Sequence, residues 1–196
     1  MKKGRRVSIC LGASLVVLAG CGHIVYADGP YRGQVLDAEA KQPIEGAAVL
    51  AVWWKRSWGQ AHPIITFYDA QEMLTDRDGN FSIPGIVGGS LNPLAMIEQP
   101  LFTIFKPGYE AYGDRKLAAP RTGDRTTVEL RRLATRNERI QSAAKIPPFT
   151  SCLSKELAER LKMLDLAPTS PYCVPEEKFP NLIRLRNVEK RDLGVR

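Results

Sequence analysis

The residues best suited to chemistry in this sequence are its four cysteines, because histidine, a common acid–base group and metal ligand, occurs only twice. His23 and His62 are distant in sequence from Cys152 and Cys173, and no C-x-x-C pair occurs, which argues against a zinc site or a dithiol redox motif. The H-E-x-x-H, G-x-S-x-G and glycine-rich phosphate motifs are also missing. The sequence therefore predicts no metal, no cofactor and no catalytic residue. An unrecognised hydrolase that uses paired carboxylates ranks third among the functions considered.

Cys21 stands where a short apolar run near the start of the chain ends. Met1–Arg6 carries four basic residues, and Val7–Ala19 is almost wholly apolar or small, which is the layout of a secretory signal. The run is shorter than the 20 or so residues that a membrane-spanning helix needs. The tetrapeptide L-A-G-C that ends at Cys21 resembles the bacterial lipobox. That resemblance implies cleavage before Cys21 and lipidation of its thiol and new amine. The alternative is an ordinary signal peptide whose mature chain begins near a cysteine.

Lipidation of Cys21 would determine where the mature protein resides. One acyl chain binds a bilayer only marginally, at about 0.8 kcal/mol per buried CH2, whereas two or more chains make a stable anchor. We therefore expect a periplasm-facing protein of the cell envelope, with the membrane as a partner through the lipid and an envelope protein as a second candidate partner. In a cell with two membranes the lipoprotein resemblance favours the outer one, because Gly22 follows the cysteine instead of the Asp that often signals inner-membrane retention.

The net charge argues against nucleic acid as a partner. The formal charge of the whole chain is +7, and loss of the four basic residues of the signal leaves about +3. Such a modest excess gives little electrostatic reason to bind a polyanion.

The two remaining cysteines, Cys152 and Cys173, form an isolated pair with 20 residues between them. In an oxidising compartment such a pair is read as a disulfide. Closing a loop of this length stabilises a fold by about 3 kcal/mol in the chain-entropy model. The alternative is two free or buried thiols.

In the body of the chain, strand-like segments alternate with turn residues, a pattern typical of a small all-β domain. An Asp-Gly turn at Asp76–Gly79 is a strong hairpin signal, and no helical pattern interrupts the strand-like segments before Leu133. At least six strands with frequent turns indicate a β-sandwich. The predicted strands are Tyr31–Asp37, Gly46–Lys55, Gln71–Asp76, Asn80–Pro84, Leu101–Lys106 and Thr126–Leu133.

Three segments of this body, GQVLDAEAKQPIEGAAV, LTDRDGNFSIPG and FKPGYEAY, together resemble the carboxypeptidase regulatory-like domain. The resemblance covers residues 31–133 and implies a Greek-key β-sandwich similar to transthyretin, which in metallocarboxypeptidases is an appended module without zinc. The link at residues 55–72 is longer than the family pattern. The matching positions are Gly33, Val35, Asp37, Pro43, Gly46, Ala47, Val49, Thr75, Asp76, Asp78, Gly79, Phe81, Lys106, Gly108 and Tyr109.

A tryptophan-rich stretch at the end of the second strand is the most suggestive feature for binding. Trp54 and Trp58, with Arg56 between them, are of the types that recognise sugars and cations and recur at interfaces. Trp58 lies beyond the strand and is the better candidate for a loop contact. The alternative is core packing, because both faces of this strand are apolar and need cover, from this chain or from a partner.

The last third of the chain contains helical patterns that can supply that cover. We expect a short polar helix at Ala134–Lys145 and a last helix within Pro180–Gly194. Ser154–Leu166 is an amphipathic pattern. Its leucine stripe, predicted to pack on the outer face of the sandwich near Leu50, Val52 or Trp54, consists of Leu153, Leu157, Leu161 and Leu164. A partner-binding helix is the alternative.

The expected organisation is a signal peptide (1–20), a lipidated tether (21–30), a mainly β, Greek-key transthyretin-like sandwich (31–133) and a C-terminal helical appendage (134–196). The expected function is that of a non-enzymatic, lipid-anchored envelope protein that serves as a structural or protein-interaction module. The alternative is an envelope sensor that binds a sugar or peptide through the Trp58 loop.

Overall fold

The structure is a computed structural model that describes residues 24–58, 63–90, 95–113, 125–146 and 173–195. The strands in these residues are β1 (Ile24–Asp28), β2 (Tyr31–Asp37), β3 (Ala48–Trp58), β4 (Pro63–Leu74), β5 (Asn80–Ile83), β6 (Ile86–Ser90), β7 (Ala95–Ile97), β8 (Leu101–Phe105) and β9 (Arg125–Leu130). The helices are α1 (Arg136–Lys145), a short 3-10 helix (Glu176–Lys178) and α2 (Pro180–Asp192).

Two sheets face each other across a shared core. The first has the strand order β5-β2-β9, and β2 and β9 run parallel in it. The second has β3 at its centre, with β4 along one edge and β7 and β8 along the other. Strands β1 and β6 form a separate antiparallel ribbon. The prediction of a mainly β sandwich followed by a helical appendage is confirmed.

The strands depart from the prediction mainly around β3 and β4. Strand β3 continues to Trp58, and β4 begins at Pro63 instead of Gln71, so most of the long 55–72 link is an extended hairpin. Strand β1 lies within the 21–30 segment, for which the sequence predicts a tether. Strands β6 and β7 are not among the predicted strands, since β6 contains two glycines and β7 has only three residues.

Successive residues of β3 point to opposite sides of its sheet, as the period of two requires. Val49, Ala51 and Trp53 point into the sandwich interior, where all three are fully buried. The other buried members of this inner core are Tyr31, Val35, Ile44, Ala47, Phe81, Ile83, Ile86, Phe102, Ile104, Val128 and Leu130. The inner core therefore draws on both sheets and on the ribbon.

The outer face of β3 is covered by residues of the same chain, as expected. This second cluster contains Ala48, Leu50, Val52, Trp54, Ala70, Phe105, Ala111, Ile146, Val174, Phe179 and Leu182. In the described residues the covering helix is α2, which lies within the helix predicted at Pro180–Gly194. The leucine stripe of 154–166 lies outside the described residues, so its predicted packing stays a prediction.

A carboxylate of β4 fixes the start of α2. Glu72 accepts hydrogen bonds from the backbone N–H groups of Asn181 at 2.8 Å and Leu182 at 2.6 Å. These N–H groups have no partner within the helix, and the helix dipole favours a negative charge there. Beside it, Lys178 forms an ion pair with Asp69 of β4 at 2.8 Å. The second sheet therefore holds α2 through polar contacts as well as through apolar packing.

Helix α1 is joined to α2 by a largely buried ion pair. It begins with a capping box, in which the Thr135 side chain and the Glu138 side chain each bond the other's backbone N–H. Further along, the Arg139 guanidinium donates to both carboxylate oxygens of Glu189, at 2.7 and 2.5 Å, and the Glu189 side chain is only 2% exposed. The two charge-assisted hydrogen bonds offset the free-energy cost of removing the Glu189 carboxylate from water.

Two glycines of the family-like pattern are required by close packing. A Cβ at Gly33 would lie 2.5 Å from the Phe81 ring, so no larger residue fits there. Gly79 has φ of +71°, which L side chains rarely adopt, and a Cβ there would collide with the Val35 carbonyl. Gly33 allows β2 to pair closely with β5, and Gly79 allows the Asp-Gly turn to form.

Asp37 fixes the turn that follows β2. Its carboxylate accepts the backbone N–H groups of Glu39 and Ala40, both at 2.9 Å, and the Tyr109 hydroxyl at 3.2 Å. The backbone hydrogen bonds, with a smaller contribution from nearby Arg132, lower the pKa of Asp37 below its usual value. The Asp and Tyr of the pattern therefore act structurally in this chain.

Candidate functional site

The surface with the strongest binding character is the open end of the second sheet. We call the hairpin end the set formed by the end of β3 (Lys55–Trp58), the start of β4 (Pro63–Thr66) and the whole of β7 (Ala95–Ile97), which pair with one another. Three of its apolar side chains are more than half exposed: Trp58 (59%), Ile64 (51%) and Met96 (59%). Several large apolar side chains exposed at one end of a sheet are a common feature of contact sites.

The register of the strands places these side chains on both faces of the sheet. Met96 pairs with Arg56, so it shares the outer face with Arg56 and with Trp58 two residues further on. Ile64 pairs with Ser57 and therefore lies on the opposite face. The hairpin end is thus an apolar edge with two exposed faces.

The structure brings together only part of the predicted binding set. Arg56 and Trp58 share a face at the hairpin end, and Arg56 forms an ion pair with Glu98. Trp54 is only 4% exposed and packs edge-on against Phe67, with ring centroids 6.2 Å apart, so its ring belongs to the core.

Ile64 and Met96 were missed by the sequence reasoning. Ile64 lies in the part of β4 that was read as a link, and Met96 lies in β7, which was not predicted. The sequence around an apolar residue does not show whether its side chain is exposed. Only the pairing of β4 and β7 with β3 places Ile64 and Met96 at the exposed end of the sheet.

The three remaining predicted sites concern cysteines. Cys21 and Cys152 lie outside the described residues. Cys173 is disulfide-bonded in the structure and its partner is not among the described residues, so the pairing with Cys152 remains a prediction.

A polar cluster at Asp28 ties the β1–β6 ribbon to the sandwich. The Asp28 carboxylate accepts the Trp53 indole N–H at 2.8 Å and the Tyr31 hydroxyl. Burial, together with the charge of Asp28 and a hydrogen bond to it, raises the pKa of Tyr26 to about 12. The contacts of Asp28 with Trp53 and Tyr31 anchor the strand that begins three residues after Cys21.

An open cavity of about 710 Å³, with both apolar and charged side chains in its wall, lies between α1 and the end of β9. Glu110 in its wall forms ion pairs with Lys145 at 2.9 Å and Arg131 at 3.3 Å. The hydrogen bond from Lys145 is the main reason that the pKa of Glu110 is lowered. A carboxylate held ionised between two cations is a poor general acid, so this geometry suits structural ion pairing better than proton transfer.

Among the described residues no group of three or more His, Cys, Asp or Glu side chains is placed to hold a metal ion. Within the same residues, no helix has both the length and the apolar character needed to cross a bilayer.

No family model, curated protein or solved structure matches this chain. The resemblance to the carboxypeptidase regulatory-like domain therefore stays a prediction, which depends on the quoted motifs alone.

Proposed function

We propose that this protein is a lipid-anchored, non-enzymatic module of the bacterial cell envelope that faces the periplasm and serves a structural or protein-interaction role. The observation that carries the proposal is the L-A-G-C tetrapeptide at Cys21, which follows a basic head and a short apolar run. Cleavage and acylation there would fix the mature protein to a membrane with no need for a spanning segment.

The internal contacts support a rigid module in preference to an enzyme. The inner core and the outer layer cover both faces of β3 from Ala48 to Trp54, and α1 and α2 are joined by the Arg139–Glu189 pair. The partly buried carboxylate of Glu110 and the buried carboxylate of Glu189 form ion pairs with cations, and Asp37 accepts hydrogen bonds from backbone N–H groups. Side chains held in this way stabilise a scaffold and leave little freedom for proton transfer.

The lipid anchor is tested by replacing Cys21 with Ser in the full chain and fractionating cells grown with labelled palmitate. We expect the wild-type protein to carry label and to sediment with membranes, and the C21S variant to lose both properties. Cys10→Ser is the matched control, because Cys10 lies in the signal and should not affect either readout. A C21S protein that stays in the membrane pellet and still takes up label would overturn the proposal.

The alternative function, a sensor of a sugar or peptide, is favoured by the exposure of Trp58 beside Arg56 on one face. Aromatic rings next to a cation stack on sugars and bind peptide groups. It predicts that cell-wall sugars or peptides change the fluorescence of Trp58 in the soluble C21S protein, and that Trp58→Phe removes the change. Under the proposed function, such ligands leave the fluorescence unchanged.

A further inference from the structure

The direction of the β1–β6 ribbon is fixed by its contacts with β4. The side chain of Gln71 bonds the backbone of Gly85, as donor to its carbonyl at 2.5 Å and as acceptor from its N–H at 3.2 Å. Three residues further along the chain, within β6, a Cβ at Gly88 would collide with the hydroxyl of Tyr68. Residue numbers therefore rise along β6 as they fall along β4, and β6 runs towards the hairpin end.

Strand β1 places its first residue in the same direction. Asp28, its last residue, bonds the Trp53 indole, whereas Ile24 pairs with Ser90 at the far end of β6. Ile24, the first residue of β1, therefore lies four residues from the Trp53 contact, in the direction of the end of the sheet at which β3 reaches Trp58.

The sequence leaves little chain between that point and the predicted anchor. Only Gly22 and His23 separate Cys21 from Ile24. Three residues span about 10 Å even when fully extended. A lipidated Cys21 has its acyl chains in the bilayer, so Ile24, and with it the hairpin end, must lie close to the membrane surface.

The chemistry of the hairpin end suits the lipid interface. Its residues include two cations, Lys55 and Arg56. Arg56 is paired with Glu98, which directly follows Ile97, so the positive charge at this end comes mainly from Lys55. Tryptophan favours the boundary between headgroups and acyl chains, and nearby cations are attracted to anionic headgroups. The opposite end of the sandwich is different, since the turn regions there expose Glu45, Asp76 and Arg77.

We propose that the hairpin end is a membrane-contact surface, with the exposed side chains of Trp58, Ile64 and Met96 seated at the lipid headgroup–acyl boundary. The proposal rests on the proposed lipidation of Cys21, and it adds which surface of the sandwich faces the bilayer. Contact with lipid also explains why exposed apolar side chains lie at the hairpin end, which is the end of the sandwich nearest Cys21.

Trp58 is a native reporter for this arrangement, because Trp53 and Trp54 are 0% and 4% exposed. The lipidated full-length protein is reconstituted into phosphatidylethanolamine–phosphatidylglycerol vesicles with or without bromine on the acyl chains. We expect brominated lipid to quench Trp58. Quenching by aqueous iodide should fall to roughly half or less of that in the soluble C21S protein, because the ring leaves water.

Two variants make the readout specific to position. Trp58→Phe should remove the response to brominated lipid. Arg77→Trp in that background places the reporter on the exposed turn at the other end, where we expect full access to iodide and no quenching by bromine. If Trp58 of the vesicle-bound, lipidated protein remains as accessible to iodide as in C21S, this surface does not face lipid and the inference is wrong. If the native chain carries no lipid, the proposed function fails first and the inference falls with it.

Discussion

Replacing Leu182 with Ala should destabilise the protein, because this side chain is 2% exposed and packs in the outer layer over β3. The change removes three carbon atoms, worth about 2.4 kcal/mol of transfer free energy at about 0.8 kcal/mol each, and the cavity left behind adds to this. We expect a loss of about 2–5 kcal/mol in the free energy of unfolding. Since 1 kcal/mol shifts Tm by about 2–4 °C in a protein of this size, Tm should fall by roughly 4–20 °C.

The loss would report on packing and not on the helix itself. Alanine is the better helix former, and the backbone N–H of residue 182 keeps its hydrogen bond to Glu72 in the variant. The assay is urea and thermal unfolding of the soluble C21S protein under non-reducing conditions. Arg184→Ala on the exposed side of the same helix is the matched control, with an expected change within about 0.5 kcal/mol.

A Leu182→Ala variant as stable as the control would refute the view that α2 covers the sheet. Truncation after Leu133 extends the test to the whole appendage, and exposure of the outer face should then cause aggregation. A truncated protein that stays monomeric with an unchanged Tm would instead identify the C-terminal region as an arm for another protein.

The other predictions concern covalent structure and pH. Digestion of the native protein without reductant should give a linked peptide pair containing Cys152 and Cys173, and two alkylatable thiols would contradict it. In a spectrophotometric titration Tyr26 should ionise near pH 12. Its raised pKa therefore contributes to the free energy of unfolding in full below about pH 10, and this contribution is lost as the pH rises towards 12. Asp28→Asn should bring the ionisation of Tyr26 to lower pH. Asp37 has a lowered pKa, so its contribution is present above about pH 4 and is lost as pH falls through the folded-state pKa. Asp37→Asn should therefore flatten the acid side of the stability curve, and an unchanged acid limb would show that the turn does not depend on this carboxylate.

Local signals in the sequence were sufficient for several elements of the fold. Strand β2 has the predicted bounds, and β5 follows the Asp-Gly turn as expected. These elements depend on alternation and turn chemistry among residues adjacent in the chain, which sequence records directly. Helix α1 is similar, because its polar pattern and the prolines after it indicate a short helix.

The candidate site was predicted only in part. Trp58 and Arg56 were identified from residue type, but exposure separates Trp58 from Trp54, and exposure depends on what covers each face of β3. The sequence offered two helical patterns for that cover and favoured the leucine stripe, whereas the described residues place α2 there. Both patterns are amphipathic, so their sequences alone could not rank them.

The sequence by itself determined the alternating strands, the Asp-Gly turn and the short polar helix, and it supplied the lipobox-like tetrapeptide, because each is a property of a few consecutive residues. Only the tertiary structure decided that Ile24–Asp28 pairs with Ile86–Ser90, and that the ribbon runs towards the hairpin end. That pairing joins segments about 60 residues apart, and its stability comes from side chains such as Asp28 and Trp53 that meet only in the folded chain. Contacts between segments so far apart in the chain leave no periodic pattern in the sequence. Their formation costs the entropy of closing the intervening loop, and that cost is offset only by packing that exists once both segments are in place.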